Sequence, residues 1–278
     1  MKKYKGVIFF DIDGTLTDSG HGKAYPSDPV VRAVLQAKDN GYACVICTGR
    51  NMNQVSCMDV LKPDGYVFSD GAGILITGRK PLTTPFNEEV LRDMLKQVKA
   101  HNGGMNISSV YGFYATSYAQ NIAIDVVKKM TEDYPENQDL IRHDFLPEPI
   151  EKWKGEPVLE TDLYFPTEED EQAWLKEKDT SVHYMHMSVT SEYANGEATP
   201  AGVSKGEGCR KITELLGCSM QDTYAFGDSM NDISAIETVH TGIVMGNGPE
   251  ELKKIADYVT DDVQNDGIVS GLKHFHII

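Results

Sequence analysis

The chain has 278 residues, 40% of them hydrophobic and 24% charged, so it is long enough for one large or two modest domains and too apolar to be disordered. No apolar run approaches the ~18 residues needed to span a bilayer, and the stretch after Met1-Lys2-Lys3 ends at Asp11, too short for a secretory signal core, so a cytoplasmic protein is expected. A formal charge of −16 repels nucleic acid and anionic lipid and argues against both as partners.

In chain order, Gly6–Phe10 is short, apolar and rich in aromatic and β-branched residues, which predicts a buried strand. Residues 29–40 place Val30, Val34, Leu35 and Lys38 at helical spacing, with Gly41 as the stop. Tyr42–Cys47 and residues 66–69 predict two further strands. Cys44 and Cys47 form a C-x-x-C inside the first of these. Five cysteines are an odd number and no second pair lies at zinc-site spacing, so they read as structural, reduced thiols. A helix over 87–100 carries Val90, Leu91, Met94, Leu95 and Val98 on one stripe, and strand-like segments follow at 159–165 and 182–189. From Ser204 the α/β texture resumes. Ser204-Lys205-Gly206-Glu207 reads as a capping box opening a helix to Leu216; strands at 224–226, 242–245 and 258–259 alternate with helices at 232–239 and 249–256. Alternating strands and helices imply parallel pairing, so the expected fold class is α/β, doubly wound and mostly parallel. Residues 81–199 hold 22 acidic and 10 basic side chains against 20 and 16 elsewhere. That asymmetry supports a core of 1–80 plus 200–278 with an inserted α/β domain at 81–199.

The chemistry concentrates where strands end. Asp11-Ile12-Asp13-Gly14-Thr15 follows the first strand, and carboxylates at i and i+2 leave an extended strand on the same face. The carboxyl ends of strands are where open α/β sheets bind ligands. Neighbouring carboxylates repel unless a cation or a shared proton joins them, and hard cations such as Mg²⁺ take oxygen ligands and often phosphate. Gly227-Asp228-Ser229-Met230-Asn231-Asp232 follows another strand, and Thr48-Gly49-Arg50 follows the second. Lys205 opens a helix, where a lysine is electrostatically unfavourable unless an anion is held nearby.

Together, Asp11-x-Asp13-Gly14-Thr15, Thr48-Gly49-Arg50, Lys205-Gly206 and Gly227-Asp228-x-x-Asn231-Asp232 resemble the four ordered motifs of the haloacid dehalogenase (HAD) superfamily. The large insert and the ending Asp266-Gly267-Ile268 resemble its Cof-like, type IIB branch of sugar-phosphate phosphatases. The resemblance implies a Rossmann-like core with an inserted α/β cap, and a Mg²⁺-dependent phosphatase acting on small phosphorylated metabolites, sugar phosphates first. It implies Asp11 as nucleophile, accepting the phosphoryl group as an aspartyl-phosphate, and Asp13 as acid and then base. It implies Mg²⁺ held by Asp11, the main-chain carbonyl of Asp13 and Asp228, with Asp232 in support. Thr48, Gly49, Lys205 and Asn231 would bind the phosphoryl oxygens. Two alternatives stand beside this reading: a sugar phosphomutase, and a non-catalytic phosphate-binding regulatory module. A binder needs neither Asp11 as nucleophile nor Asp13 as acid.

Relatives of this type often carry Asn-Gly after the third strand, where this chain has Ser69-Asp70-Gly71-Ala72; Asp70 either adds charge at the cleft or turns the chain into a hairpin. Gly246-Asn247-Gly248 either lines the cleft or turns the chain. In the insert, Tyr111, Tyr114, His183, His186 and Tyr193 suit sugar faces and hydroxyls, although aromatic residues of a small domain mostly fill its core.

Overall fold

The computed structural model describes residues 3–190 and 192–278, so Met1 and Lys2, weighed above as a leader, lie outside the described residues. In chain order the strands are β1 (Gly6–Phe10), β2 (Tyr42–Cys47), β3 (Gly65–Phe68), β4 (Gly73–Ile76), β5 (Leu82–Thr83), β6 (Gly104–Ser108), β7 (Phe113–Ala115), β8 (Glu148–Pro149), β9 (Thr161–Phe165), β10 (Val182–Val189), β11 (Ala194–Pro200), β12 (Thr223–Gly227), β13 (Thr241–Val244) and β14 (Tyr258–Val259). The α-helices are α1 (Asp28–Asp39), α2 (Glu88–Ala100), α3 (Ser117–Asp133), α4 (Gln138–Phe145), α5 (Glu168–Leu175), α6 (Lys205–Leu216), α7 (Ile233–Thr238), α8 (Glu250–Lys253) and α9 (Gly267–His274). Among the described residues no helix is long and apolar enough to cross a membrane.

The chain divides into two units, one of Met1–Arg50, Val55–Leu82 and Ser204–Ile278, the other of Asn51–Gln54 and Thr83–Val203. The joins differ from the expected 80/81 and 199/200, and the short segment after Arg50 goes with the second unit. There the Met52 N–H donates to the Val110 carbonyl at 3.1 Å, and the Gln54 side-chain amide donates to the Asp144 carbonyl.

The first unit is built on a sheet ordered β14-β13-β12-β1-β2-β3-β4-β5. The pairs from β14 through to β3 are parallel, and β4 turns back antiparallel on β3. The chain thus runs outward from β1 through β2 and β3, returns, and runs outward the other way from β12. The switch point lies between β1 and β12. All five residues of β1 are buried, as befits a central parallel strand covered on both faces. Val7 and Phe9 join Cys209 and Ile212 of α6, Ile236 of α7 and Leu252 of α8 in one core cluster. On the other face Phe10 stacks on Phe226 at 5.3 Å, and Gly271 of α9 comes so close to Phe226 that a Cβ would lie 2.5 Å from its ring.

The second unit is a six-stranded sheet ordered β10-β11-β9-β6-β7-β8, antiparallel except for the β7–β8 pair. Leu91, Met94 and Val98 of α2 and Trp174 of α5 pack with Met105, Ile107, Leu163 and Phe165 from one face of that sheet.

Several elements differ from the sequence reading. Helices α3, α4, α5 and α9 were not foreseen. Only Ala119 and Val127 of α3 are buried, so its apolar stripe is weak; α5 starts on Thr167, whose hydroxyl accepts from the Asp170 N–H, and buries Trp174 and Glu171. The expected helix at 249–256 shrinks to Glu250–Lys253. The capping box expected at Ser204 is half formed, with the Ser204 hydroxyl accepting from the Glu207 N–H at 3.2 Å while the Glu207 carboxylate lies 3.7 Å from Arg210. The reciprocal box forms between Ser229 and Asp232. Cys44 and Cys47 are buried free thiols, as expected.

Candidate active site

The first motif leaves the sheet at the switch point. The Asp11 N–H donates to the Phe226 carbonyl at 3.0 Å, extending the β1–β12 ladder by one residue and fixing Asp11 at the carboxyl end. The chain then folds back sharply: the Ile12 carbonyl accepts from the N–H groups of Thr15, Leu16 and Thr17 at 3.3, 3.0 and 2.9 Å. Gly14 sits at φ +87°, and a Cβ there would lie 2.1 Å from Asp228 Oδ2, so only glycine lets this loop lie against the second motif. Thr15 Oγ1 donates to Asp228 Oδ1 at 2.8 Å.

Beyond β12, the N–H groups of Asp228 and Ser229 both donate to Asp232 Oδ2 at 3.0 Å. The other oxygen, Asp232 Oδ1, accepts from Lys205 Nζ at 2.7 Å. The same ammonium donates to Asp11 Oδ1 at 2.8 Å and to Asn231 Oδ1 at 3.2 Å. Lys205 is 1% exposed although it is the first residue of α6, so the anion that offsets the helix dipole is supplied by the buried carboxylates around it. Asn231 is held in turn by Ser229 Oγ, which donates to its Oδ1 at 2.6 Å, and its Nδ2 lies 3.5 Å from Asp70 Oδ1.

Asp13 is partnered separately. Its Oδ2 accepts from Arg50 Nε at 2.8 Å and its Oδ1 from Arg50 Nη2 at 2.6 Å, a two-pronged pair. Thr48 is buried at the end of β2, with its Oγ1 accepting from the Arg50 N–H at 3.1 Å. Gly49 lies against Asp70, since a Cβ there would be 3.4 Å from Asp70 Oδ1. Asp70 is buried at φ +48° in the turn between β3 and β4. It therefore makes the hairpin turn and also lies against Gly49 and Asn231.

These contacts set the ionisation. Burial, with the charges of Asp232, Asp228 and Asp13, pushes the Asp11 carboxyl well above the usual range despite Lys205. Burial and Asp232 raise Asp228 to about 7, against the opposing hydrogen bond from Thr15 and the charge of Lys205. Burial alone would lower Lys205, but Asp11 and Asp232 outweigh it and hold the ammonium well above its usual value. Burial would raise Asp13, yet the charge and hydrogen bonds of Arg50 win and hold it below the usual carboxylate range.

Asp11, Asp228 and Asp232 offer carboxylate oxygens that all lie within 4.8 Å of one another. Three carboxylates against the single Lys205 ammonium leave two negative charges when all are ionised, which a divalent cation would cancel. Both Asp232 oxygens are already taken by Lys205 and two main-chain N–H groups, so Asp11 and Asp228 are the side chains that fit a cation, and Asp232 orients the lysine and the loop. Asp13 stands outside this excess, because Arg50 neutralises it.

Two contributors beyond the predicted set are Arg50 and Asn247. Arg50 stood in the second motif without a role, and its signal was a basic residue at a strand end beside an acidic motif. Asn247 Nδ2 donates to the Gly14 carbonyl at 2.9 Å and lies 3.4 Å from Asp228 Oδ2, so the Gly246-Asn247-Gly248 turn does reach the cluster.

The insert's candidates scatter. Tyr111 is exposed, and Tyr114 packs on the unit's core. His186 Nδ1 lies 2.8 Å from the buried Glu171 carboxylate, to which the Tyr184 hydroxyl also donates. Tyr193 sits edge-on to Tyr164 at 5.5 Å, and His183 is exposed on β10.

Comparison with known proteins matches this arrangement. The putative phosphatase YkrA of Bacillus subtilis (strain 168) is 30% identical over 273 residues, 98% of each chain. The 5-amino-6-(5-phospho-D-ribitylamino)uracil phosphatase YcsE of the same organism is 27% identical over 97% of this chain and 95% of that protein. Among solved structures, the HAD subclass IIB sugar phosphatase BT4131 superposes with a TM-score of 0.80 at 25% identity, covering 99% of this chain and 100% of that one. A protein of Geobacillus kaustophilus HTA426 gives 0.81 at 26% identity over 98% and 99%. A model of the haloacid dehalogenase-like hydrolase family matches residues 8–272, and the chain belongs to that family, among enzymes named as phosphatases; Lys205 joins the first and fourth motifs, and Arg50 of the second pairs with Asp13.

Proposed function

We propose that this enzyme is a Mg²⁺-dependent phosphatase of small phosphorylated metabolites, sugar phosphates first, working through a phospho-aspartate on Asp11. The observation that carries the reading is the buried Lys205 ammonium, joined to Asp11 at 2.8 Å and Asp232 at 2.7 Å, with Asp228 alongside. A phosphate-binding module would have no need to seat a carboxylate of raised pKa against a buried lysine at the switch point. Asp11, Asp228 and the Asp13 main-chain carbonyl would hold Mg²⁺, which when bound supplies charge neutralisation at the phosphoryl oxygens.

Lys205 grips one Asp11 oxygen and so aims the other, Oδ2, at phosphorus. As that oxygen bonds to phosphorus, the ester P–O bond breaks and Asp13 gives the leaving oxygen its proton. In the second half Asp13 takes a proton from the water that frees Asp11. The Arg50 pairing keeps Asp13 ionised, the form required of the base; the acid form requires that grip to loosen. Thr48, the Gly49 N–H, Lys205 and Asn231 would take the phosphoryl oxygens, a task of positioning and charge balance. Sugar phosphates come first because the structural relative is a sugar phosphatase by name. Turnover of p-nitrophenyl phosphate tests the proposal: it should need Mg²⁺, stop with EDTA and fall to background in Asp11→Asn. Near-normal turnover by that variant would overturn the phospho-aspartate, and undiminished turnover in excess EDTA would overturn the metal.

A further inference from the structure

The Gly246-Asn247-Gly248 turn touches the cluster of aspartates without a part in the reaction described above. It lies at the carboxyl end of β13, one strand over from β12 and the fourth motif. Main-chain bonds fix it there: the Met245 N–H donates to the Gly227 carbonyl at 3.0 Å, the Gly246 N–H to the Asp261 carbonyl at 3.2 Å, and the Gly248 N–H back to the Met245 carbonyl at 2.9 Å. A Cβ on Gly246 would lie 2.3 Å from Asp262 Oδ1, and one on Gly248 would lie 3.1 Å from the Asp228 carbonyl oxygen. Glycine on both sides therefore lets the turn wedge between the fourth motif and the 261–262 segment, with Asn247 as the side chain it presents.

Both ends of the Asn247 amide are engaged. Its Oδ1 accepts from the Val263 N–H at 2.9 Å, and its Nδ2 donates to the Gly14 carbonyl at 2.9 Å and to Asp228 Oδ2 at 3.4 Å. These partners settle which way the amide points, since the flipped group would set its oxygen against two acceptors and its nitrogen against a donor. Asp228 is thereby held from two sides, by Thr15 Oγ1 on Oδ1 at 2.8 Å and by Asn247 on Oδ2. Through the Gly14 carbonyl the same amide ties down the residue next to Asp13, whose main-chain carbonyl is proposed to hold Mg²⁺. Asn247 thus comes from a third segment and clamps the two motifs that would supply the ligands. An amide carries no net charge, so what it contributes to a cation held by others is orientation.

We propose that Asn247 is a positioning residue of the cation site: it holds the Asp228 carboxylate and the first-motif loop in one geometry, and so favours Mg²⁺ over larger divalent cations. The inference rests on the Mg²⁺ reading of the proposed function and adds to it a residue and a source of metal preference. Mg²⁺ demands a near-ideal octahedron at short distances, whereas Ca²⁺ accepts longer and less regular sets of oxygens. Losing a group that orients ligands therefore weakens Mg²⁺ more than Ca²⁺, while a general loss of order at the site weakens both alike.

The test is calorimetric binding of Mg²⁺ and of Ca²⁺ to the full chain, for the wild type, Asn247→Ala and Asn247→Ser; serine is too short to span the Gly14 carbonyl and Asp228. Residues that orient metal ligands typically contribute about ten- to a hundredfold in affinity, so the Mg²⁺ Kd should rise about tenfold or more in both variants. The Ca²⁺ Kd should rise by a smaller factor, so the preference for Mg²⁺ narrows. Because that preference is a ratio within each protein, a shortfall in folded material cancels. An unchanged Mg²⁺ Kd in either variant, or equal rises for the two metals, overturns the inference, while Mg²⁺ binding by the wild type leaves the metal reading standing. A wild type that binds no Mg²⁺ overturns both.

Discussion

Replacing Lys205 by methionine keeps most of the side chain's length and removes its charge. In the native protein the ammonium is 1% exposed and donates to two buried carboxylates and an amide. Deleting one partner of a buried ion pair typically costs about 3–5 kcal/mol, because the carboxylates stay behind without a counter-charge. With a urea slope near 2 kcal/mol per molar, the midpoint of the first unit should drop by roughly 1.5–2.5 M at pH 8. The deficit should depend on pH in a fixed direction. Asp11 is raised even beside Lys205, and losing the lysine raises it further. A carboxyl whose folded pKa lies above its unfolded value favours the native state at low pH, and that stability is lost as pH rises through the folded value. The variant should therefore approach the wild type at pH 5 and fall furthest behind at pH 8, where added Mg²⁺ restores part of the loss. Urea titrations at both pH values, with and without metal, make the measurement. An unchanged midpoint at pH 8, or equal shifts at the two pH values, would refute the argument that Lys205 is there to hold charge.

Two further outcomes follow from the same geometry. Asp228, at about 7 without metal, must shed a proton to ligate, so Mg²⁺ affinity should weaken about tenfold per pH unit below that value; titration calorimetry at pH 6 and 8 should show that loss and proton release on binding, and a pH-independent affinity would exclude Asp228 as a ligand. Arg50→Gln removes the charge and hydrogen bonds that hold Asp13 low, so the Asp13 carboxyl should rise and the acidic limb of the pH–rate profile should move upward; a limb that stays in place would separate Asp13 from that limb.

The chemistry was legible in the sequence because it lies in short contiguous motifs at strand ends. Asp11 and Asp13 follow β1, and Asp228 to Asp232 follow β12; a strand end needs only local signals to be recognised. Lys205 was readable as an anomaly, a lysine where the helix dipole opposes one. Its burial was not, because that depends on Asp11 and Asp232 arriving from 194 and 27 residues away. The Arg50–Asp13 pair was hidden for the same reason, since its members are 37 residues apart. In the insert the shortfall is one of patterning. Helix α3 buries only two side chains, so little apolar periodicity announces it, and Tyr184 and His186 meet a carboxylate on α5 that no local spacing reveals. The charge asymmetry pointed to an insert but not to Asn51–Gln54, a four-residue excursion tied to Val110 by a main-chain bond and to Asp144 through the Gln54 side-chain amide, both long-range.

The site divides its charges into two groups that do different work. Asp13 and Arg50 form a two-pronged pair, neutral as a unit, in which the carboxylate is held in its ionised form. Asp11, Asp228, Asp232 and Lys205 form an open group with two negative charges in excess and two carboxyls whose pKa values burial has raised. A proton or a divalent cation can relieve that excess, and the two compete for the same oxygens. A divalent cation bound there would stabilise the first unit, since a ligand that binds only the native state contributes RT ln(1 + [L]/Kd), about 2.7 kcal/mol at a hundredfold excess over Kd. The arrangement holds because β1 and β12 are adjacent at the switch point, so Asp11 and Asp228 leave neighbouring strand ends, and Asp232 spends both oxygens on fixing the lysine and the loop between them. Asp11 is kept beside repelling carboxylates, where its charge is least stable until a proton or a cation shares it.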